Sequence, residues 1–205
     1  LPVRMEVRDG EDRADEILAA VEELAPDLLL LGWSGEPALR RYLLGPVLDP
    51  VVRYAACNVA IVRAKEVVPV ERALIAAGGG PNAALAVDLA LRLSPEGEST
   101  ALYIAREPSG AVGIADGHQQ LERLLEQWQK DTRVSPLVIR ADSVIGGILD
   151  QAAAGYDVLL IGASNASYIE RTMFGNVPQT VAERAPIPTI IVRRRIGPIR
   201  NIFRQ

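Results

Sequence analysis

A chain of 205 residues with 49% hydrophobic but only 4% aromatic residues must fill its core with Ala, Leu, Ile and Val, which suits buried parallel strands. Its net charge of -4 gives no electrostatic basis for nucleic-acid binding, which rests on neutralising phosphates, so no nucleic-acid partner is expected. A single Cys57 and a single His118 exclude an intrachain disulfide and a His/Cys metal cluster, and no run approaches the roughly 20 apolar residues of a membrane-spanning helix.

In chain order, Val3–Arg8 reads as a strand and Asp15–Ala25 as a helix whose early acidic residues favour the helix dipole. Leu28–Leu31 is a short apolar run ending in Gly, the pattern of a buried parallel strand. Glu36–Tyr54 reads as a loop followed by an amphipathic helix, and Val59–Val62 as a β-branched strand after a turn. Lys65–Val70 is a junction poor in Gly and Ser, so the two halves it joins are expected to pack together. Ala73–Ala77 follows as a strand, Gly78-Gly79-Gly80-Pro81 as a turn, and Asn82–Leu93 as a helix with Asn82 as its N-cap. Next come a strand at Thr100–Ile104, a helix within Ile114–Thr132 starting near Asp116, a strand at Leu137–Arg140 and a helix at Val144–Ala154. Val158–Ile161 is a strand, Ser167–Arg184 a loop and helix, and Thr189–Val192 the last strand.

The sequence repeats itself at a shift of 130 positions. Asp27-Leu28-Leu29-Leu30-Leu31-Gly32 falls on Asp157-Val158-Leu159-Leu160-Ile161-Gly162, and Gly45-Pro46-Val47 on Gly175-Asn176-Val177. Val51 falls on Val181, Ala55 on Ala185, and Val59-Ala60-Ile61-Val62-Arg63 on Thr189-Ile190-Ile191-Val192-Arg193. Two strands and two glycines held in register over this distance predict a partial copy of one domain over 1–66 and a complete copy over 67–205. The complete copy alternates strand and helix, which predicts an α/β fold with an open parallel five-stranded sheet and helices on both faces. The partial copy lacks its opening strand, first helix and second strand. Three alternatives stand: these elements precede Leu1 in the natural protein, Val3–Arg8 pairs in an unusual way, or another chain fills the gap and makes the protein a dimer.

Gly32-Trp33-Ser34-Gly35, nine residues, then Gly45-Pro46 resembles the nucleotide motif of the universal stress protein family: Gly, two residues, Gly, nine residues, Gly, then Ser or Thr. Gly162-Ala163-Ser164-Asn165, nine residues, then Gly175-Asn176 is similar, as is Ala185-Pro186-Ile187-Pro188 before the last strand. The resemblance covers essentially the whole chain. It implies a Rossmann-like sheet of strand order 3-2-1-4-5 with a ligand at its carboxyl edge, where strand order reverses. The implied ligand is an adenine nucleotide, ATP or AMP. It would be held in the second copy by Gly162, Asn165, Gly175 and Asn176, approached by Gly78 and Gly79, with Gly32, Gly35 and Gly45 as the counterparts in the first copy. Glycines let backbone N–H groups come close to phosphate oxygens.

The chain departs from the family pattern. Pro46 lacks an N–H and a hydroxyl, Asn165 replaces a glycine, Asn176 replaces Ser or Thr, and Gly78 stands where the Asp ending the first strand is expected. Two readings therefore stand side by side: a bound nucleotide, or a degenerate pocket whose glycines only shape the loop.

No catalytic machinery is expected. Ser34, Ser164 and Ser167 have no general base nearby in sequence, and His118 lies in a Gly-rich connection. Asp116 and Asp131 are open to pairing with basic neighbours, with solvated helix caps or faces the favoured reading; Cys57 reads as a small buried residue and Trp128 as helix packing. Trp33 is open to stacking on a base, plugging the pocket or meeting a partner. Arg193-Arg194-Arg195, Arg200 and Arg204, interleaved with Ile196, Ile199, Ile202 and Phe203, suit either an anionic membrane surface or a solvated tail.

Gly32–Gly35 followed by Gly45-Pro46-Val47-Leu48-Asp49-Pro50 looks most like the cytoplasmic C-terminal domains of amino-acid-permease-type transporters. A start at Leu1, inside a repeat, is expected of a segment cut from a larger polypeptide. The resemblance thus implies a non-catalytic regulatory or interaction domain, cytoplasmic and tethered to the inner face of the plasma membrane, that forms a homodimer or packs against its transporter. The alternative is a free-standing, cytoplasmic, ATP- or AMP-binding stress protein.

Overall fold

The computed structural model describes residues 3, 5–34, 44–64, 66, 69–106, 110–163 and 177–195. Seven strands form one sheet: β1 (Leu28–Gly32), β2 (Asn58–Arg63), β3 (Arg72–Ala76), β4 (Glu98–Arg106), β5 (Val134–Ala141), β6 (Val158–Gly162) and β7 (Thr189–Arg193). Their order is β1-β2-β7-β6-β3-β4-β5. Six helices join them: α1 (Arg13–Leu24), α2 (Leu48–Tyr54), α3 (Pro81–Leu93), α4 (Gly110–Leu125), α5 (Val144–Ala152) and α6 (Val177–Arg184).

Alternation along each strand sorts the aliphatic residues into two cores. On β3, Leu74 and Ala76 face a layer built with α1, α2, α5 and α6. Ala73 and Ile75 face the other way, against α3 and α4. Leu74, Ile75, Leu159 and Leu160 are fully buried at the centre of the sheet. Each such side chain contributes about 1.5–3 kcal/mol of burial. Asp157 fixes the start of β3 beside β6, because its Oδ2 accepts from the backbone N–H groups of Glu71 (2.9 Å) and Arg72 (2.8 Å).

The sheet has seven strands rather than five, and it is not wholly parallel. Within β7-β6-β3-β4-β5 every pair is parallel, and β1 is parallel to β2. The two groups meet through one antiparallel pair, β2 with β7, in which Ile61 lies opposite Ile191. Two arginines bind across this seam. Arg63 Nη1 donates to the Ala182 carbonyl in the last turn of α6 at 2.8 Å. Arg193 Nη2 donates to the carbonyls of Ala55, the C-cap of α2, and Cys57, at 2.7 and 3.0 Å. A cation at a helix C-terminus meets carbonyls that lack helical partners, and the helix dipole favours it there.

Several predicted elements shift. Val3–Arg8 forms no strand among the described residues: Val3, Met5 and Val7 are 94%, 89% and 89% exposed. β1 is paired with β2 on one edge, and no described strand lies on its other edge. An extended segment with no ladder partner keeps its backbone solvated. Asn82 is not an N-cap, because the helix begins at Pro81 and Gly80 takes the cap position. The Asp12 side chain accepts from Ala14 N at 2.7 Å, so α1 starts at Arg13, before Asp15. The long helix of the second half ends at Leu125 and passes into a 3-10 turn, Glu126–Trp128. Asp131 is not a solvated cap: its carboxylate takes the Arg133 guanidinium on both oxygens, at 2.9 and 2.6 Å. That contact holds the Asp131 carboxyl below the usual carboxylate range. Arg133 also reaches the Pro95 carbonyl at 2.8 Å, tying the chain after α3 to the start of β5.

Arg193→Ala removes two charge-assisted bonds across the seam and leaves their carbonyls unsatisfied, so it should lower unfolding free energy by about 2–3 kcal/mol in urea titrations. Arg184→Ala, at an exposed position, should stay within about 0.5 kcal/mol of the parent. Equal midpoints for the two variants would mean that the strand ladder alone holds the seam.

Candidate functional site

Strand order reverses between β3 and β6: the chain leaves β3 for β4 on one side and returns to β6 on the other. Open α/β sheets bind ligands beyond the carboxyl ends of the strands at such a point. A cavity of about 540 Å³ lies there. Its floor is the chain leaving β3, Ala76-Ala77-Gly78-Gly79. Leu102 and Ile104 of β4, Val144 and Ile148 of α5, and Ile161 of β6 give apolar walls, with Val177 and Pro178 of α6 at the rim. Its polar side chains are Asn82, Tyr103 and Gln120. The volume falls within the range of about 300–1,000 Å³ typical of small-molecule pockets.

Asn82 organises this edge. It is 5% exposed, in the first turn of α3. Its Nδ2 donates to the Ala163 carbonyl at 2.5 Å, and its Oδ1 accepts from Arg194 N at 2.7 Å. One side chain therefore joins the exits of β6 and β7 to the start of α3. Gly162 permits this approach, because a Cβ built there would lie 2.9 Å from Asn82 Cβ. Gly80, at φ 82°, precedes α3 without a side-chain cap. The cap residue thus offers no side chain to the first turn of α3, and the helix dipole adds positive potential at this end. Among the described residues no carboxylate, guanidinium, ammonium or imidazole lines the cavity. Its polarity comes from backbone, two amides and a phenol.

Of the predicted ligand residues, Gly78, Gly79 and Gly162 meet in this cavity. Gly32 and Gly45 do not: β1 and β2 run opposite to β7, so the loop after β1 emerges at the other edge of the sheet. There Asp49, buried in α2, accepts from Leu44 N at 3.0 Å and steadies the turn at Gly45, whose φ is 121°. Gly35, Asn165, Gly175 and Asn176 lie outside the described residues. Trp33 is buried in the core layer of α1 and α2 and does not line the cavity. Trp128 packs against the α3–α4 layer and Cys57 is buried, both as expected.

Sequence reasoning overlooked Asn82 as a bridge, Tyr103, Gln120 and the Val144–Ile148 wall. A signal existed for some of them. Tyr103 lies near the carboxyl end of the strand beside the switch point, and Val144 opens the helix that follows the third strand of the second half.

The chain matches the model of the family described as "Universal stress protein family" over residues 1–63 and 69–193. A universal stress protein of Mycobacterium tuberculosis is 26% identical over 185 residues, covering 82% of this chain and 62% of its own length. One from Methanothermobacter thermautotrophicus is 40% identical over 60 residues, 29% of this chain and 40% of that protein. The chain thus spans less than two thirds of these relatives. Among solved structures, a universal stress protein of Archaeoglobus fulgidus superposes with a TM-score of 0.63 at 19% identity, covering 88% of this chain and 65% of that one. A universal stress protein solved in complex with cAMP gives 0.51 at 18% identity, covering 62% of this chain and 99% of that one. At these identities the superpositions show a shared fold.

Gly162→Val would drive its side chain against the start of α3. We expect a loss of about 1–3 kcal/mol in stability, as for other overpacked sites, read by thermal unfolding. An unchanged Tm would mean that Asn82 and its bonds to Ala163 and Arg194 shift at no cost.

Proposed function

Because the chain belongs to the universal stress protein family, we propose that it is a non-catalytic regulatory module that responds to an adenine nucleotide held at the switch point between β3 and β6. The observation that carries this is the preformed cavity. It has an aliphatic slot deep enough for a base, a glycine floor that brings backbone close to the ligand, and a helix N-terminus at its edge. Tyr103, Gln120 and Asn82 supply donors and acceptors for ring nitrogens and ribose hydroxyls. The relative solved with cAMP supports the same ligand class. Gly78 offers no carboxylate to the ribose, which favours moderate affinity.

The repeat at 130 positions and the shared strand-helix-strand order of β1-α2-β2 and β6-α6-β7 support reading the chain as a partial and a complete copy joined through their last strands. The open edge of β1, with Leu30 63% exposed, supports a protein partner there, either a second copy or the larger protein that carries the module. The Gly32–Pro50 motif supports a cytoplasmic place on an amino-acid-permease-type transporter. No helix among the described residues is long and apolar enough to cross a membrane.

Isothermal titration with adenosine, AMP, ADP and ATP tests the ligand. We expect micromolar binding, weakened more than tenfold by Val144→Trp, which fills the slot from the first turn of α5. No heat at millimolar ligand with the protein folded would overturn the reading.

A further inference from the structure

A path of hydrogen bonds runs from the slot to the first half of the molecule. Asn82 and Ala163 both line the slot. One arm of the Asn82 amide reaches the Ala163 carbonyl, just past β6, and the other takes the Arg194 N–H, just past β7. The next N–H, of Arg195, donates to Asn58 Oδ1 at 2.8 Å, and Asn58 is the first residue of β2. The exits of β6 and β7 and the starts of α3 and β2 therefore meet through two amide side chains. Arg194 does not line the slot: its side chain, with that of Arg123, borders a separate open basin between α3 and α4.

The bonds at Arg194 and Arg195 lie beyond the ladder, whose last pair between β2 and β7 is Val59 with Arg193. Side-chain bonds at a strand end open at far lower cost than the sheet does. Opening this bridge changes the slot. The Ala163 carbonyl can bond only to Nδ2 of the amide and the Arg194 N–H only to Oδ1, so the two together fix which way the Asn82 amide faces. A ligand that meets an already oriented amide is spared the cost of ordering it. Such a ligand binds the closed bridge better than the open one, and it shifts the population toward the closed form.

Resting on the nucleotide reading above, we propose that the slot and the chain leaving β7 are coupled through Asn82. A filled slot stabilises the closed bridge and so tightens the hold of α3 and β2 on Arg194 and Arg195. The signal of the module leaves along this segment, on the far side of Asn82 from the ligand. Coupling is reciprocal, so the Arg194 N–H raises ligand affinity by the factor with which the ligand secures the bridge.

The test uses AMP and the full chain, with two variants at one position outside the slot. Arg194→Pro removes the N–H that Asn82 accepts, whereas Arg194→Gln keeps it and removes the guanidinium. In isothermal titration, AMP should bind about fivefold more weakly to Arg194→Pro and within roughly twofold of the parent to Arg194→Gln. In amide hydrogen exchange read by NMR, AMP should slow the Arg195 N–H of the parent by about fivefold or more and leave that of Arg194→Pro unchanged. A purely structural bond would lower the urea midpoint of Arg194→Pro and leave its AMP affinity at the parent value, and that result overturns the coupling. An Arg195 N–H in the parent that is indifferent to AMP overturns it too, as does equal weakening in both variants, which would assign the effect to the guanidinium. If the parent binds AMP and these contrasts are absent, the coupling alone falls. If the parent binds no AMP, the nucleotide reading falls and the coupling with it.

Discussion

The antiparallel pairing of β2 with β7 is the constraint on which the rest of the molecule depends. β1 and β2 alone are a two-stranded parallel ribbon, and such a ribbon is not independently stable in water. Joined to β7, they extend a five-stranded parallel unit into one seven-stranded sheet. Val59 and Ile61 then pack on the same layer as Ile161, Ile191 and α6. The crossing arginines extend the seam beyond the sheet, since each ties the end of its strand to the end of a helix from the other side. The same pairing settles where chemistry can occur. It turns β1 and β2 over relative to β3–β7, so the chain leaves β1 and β6 at opposite edges of the sheet.

At the edge that holds the cavity, a single buried amide replaces what several charged groups would otherwise do. Asn82 closes the N-terminus of α3 onto two strand exits, and no ionised side chain is buried to achieve it. Burying a charge there would cost several kcal/mol unless it were paired. The result is a neutral slot whose walls are aliphatic and whose polar contacts are backbone and amide. Arginines enter only outside it, where water still reaches them.

Most of the fold was legible in the sequence because buried strands announce themselves as short aliphatic runs. Leu28–Leu31, Val59–Val62, Ala73–Ala77, Val158–Ile161 and Thr189–Val192 all lie within a residue of their strands. Val3–Arg8 alternates well enough to read as a strand, yet pairing is decided by a partner, and no local pattern reveals a missing one. The antiparallel seam was hidden for the same reason, because a repeat shows likeness between segments and not their relative direction. In the candidate site, Gly162 was legible from motif spacing, and Gly78 and Gly79 from the triple-glycine turn that ends the strand. Asn82 was visible but misassigned: N-cap chemistry is local, whereas its real partners lie 81 and 112 residues away. For Asp131 the sequence offered both a solvated cap and a basic neighbour, and the structure takes the second, with Arg133 folded back on it.

The seam also sets an order of assembly. Ile61 and Ile191 are partners 130 positions apart, so this pairing carries a loop-closure cost roughly 1–1.5 kcal/mol above that of the crossovers among β3, β4 and β5. Contacts of such separation form late and slow the folding of a domain. As the chain leaves the ribosome, β1 and β2 emerge before the strand that completes them has been made. During that interval an aliphatic edge at Val59–Val62 is open to any passing strand. Synthesis of this protein therefore includes a window of exposure to aggregation that closes only when β7 arrives, and it is in that window that a chaperone would find it.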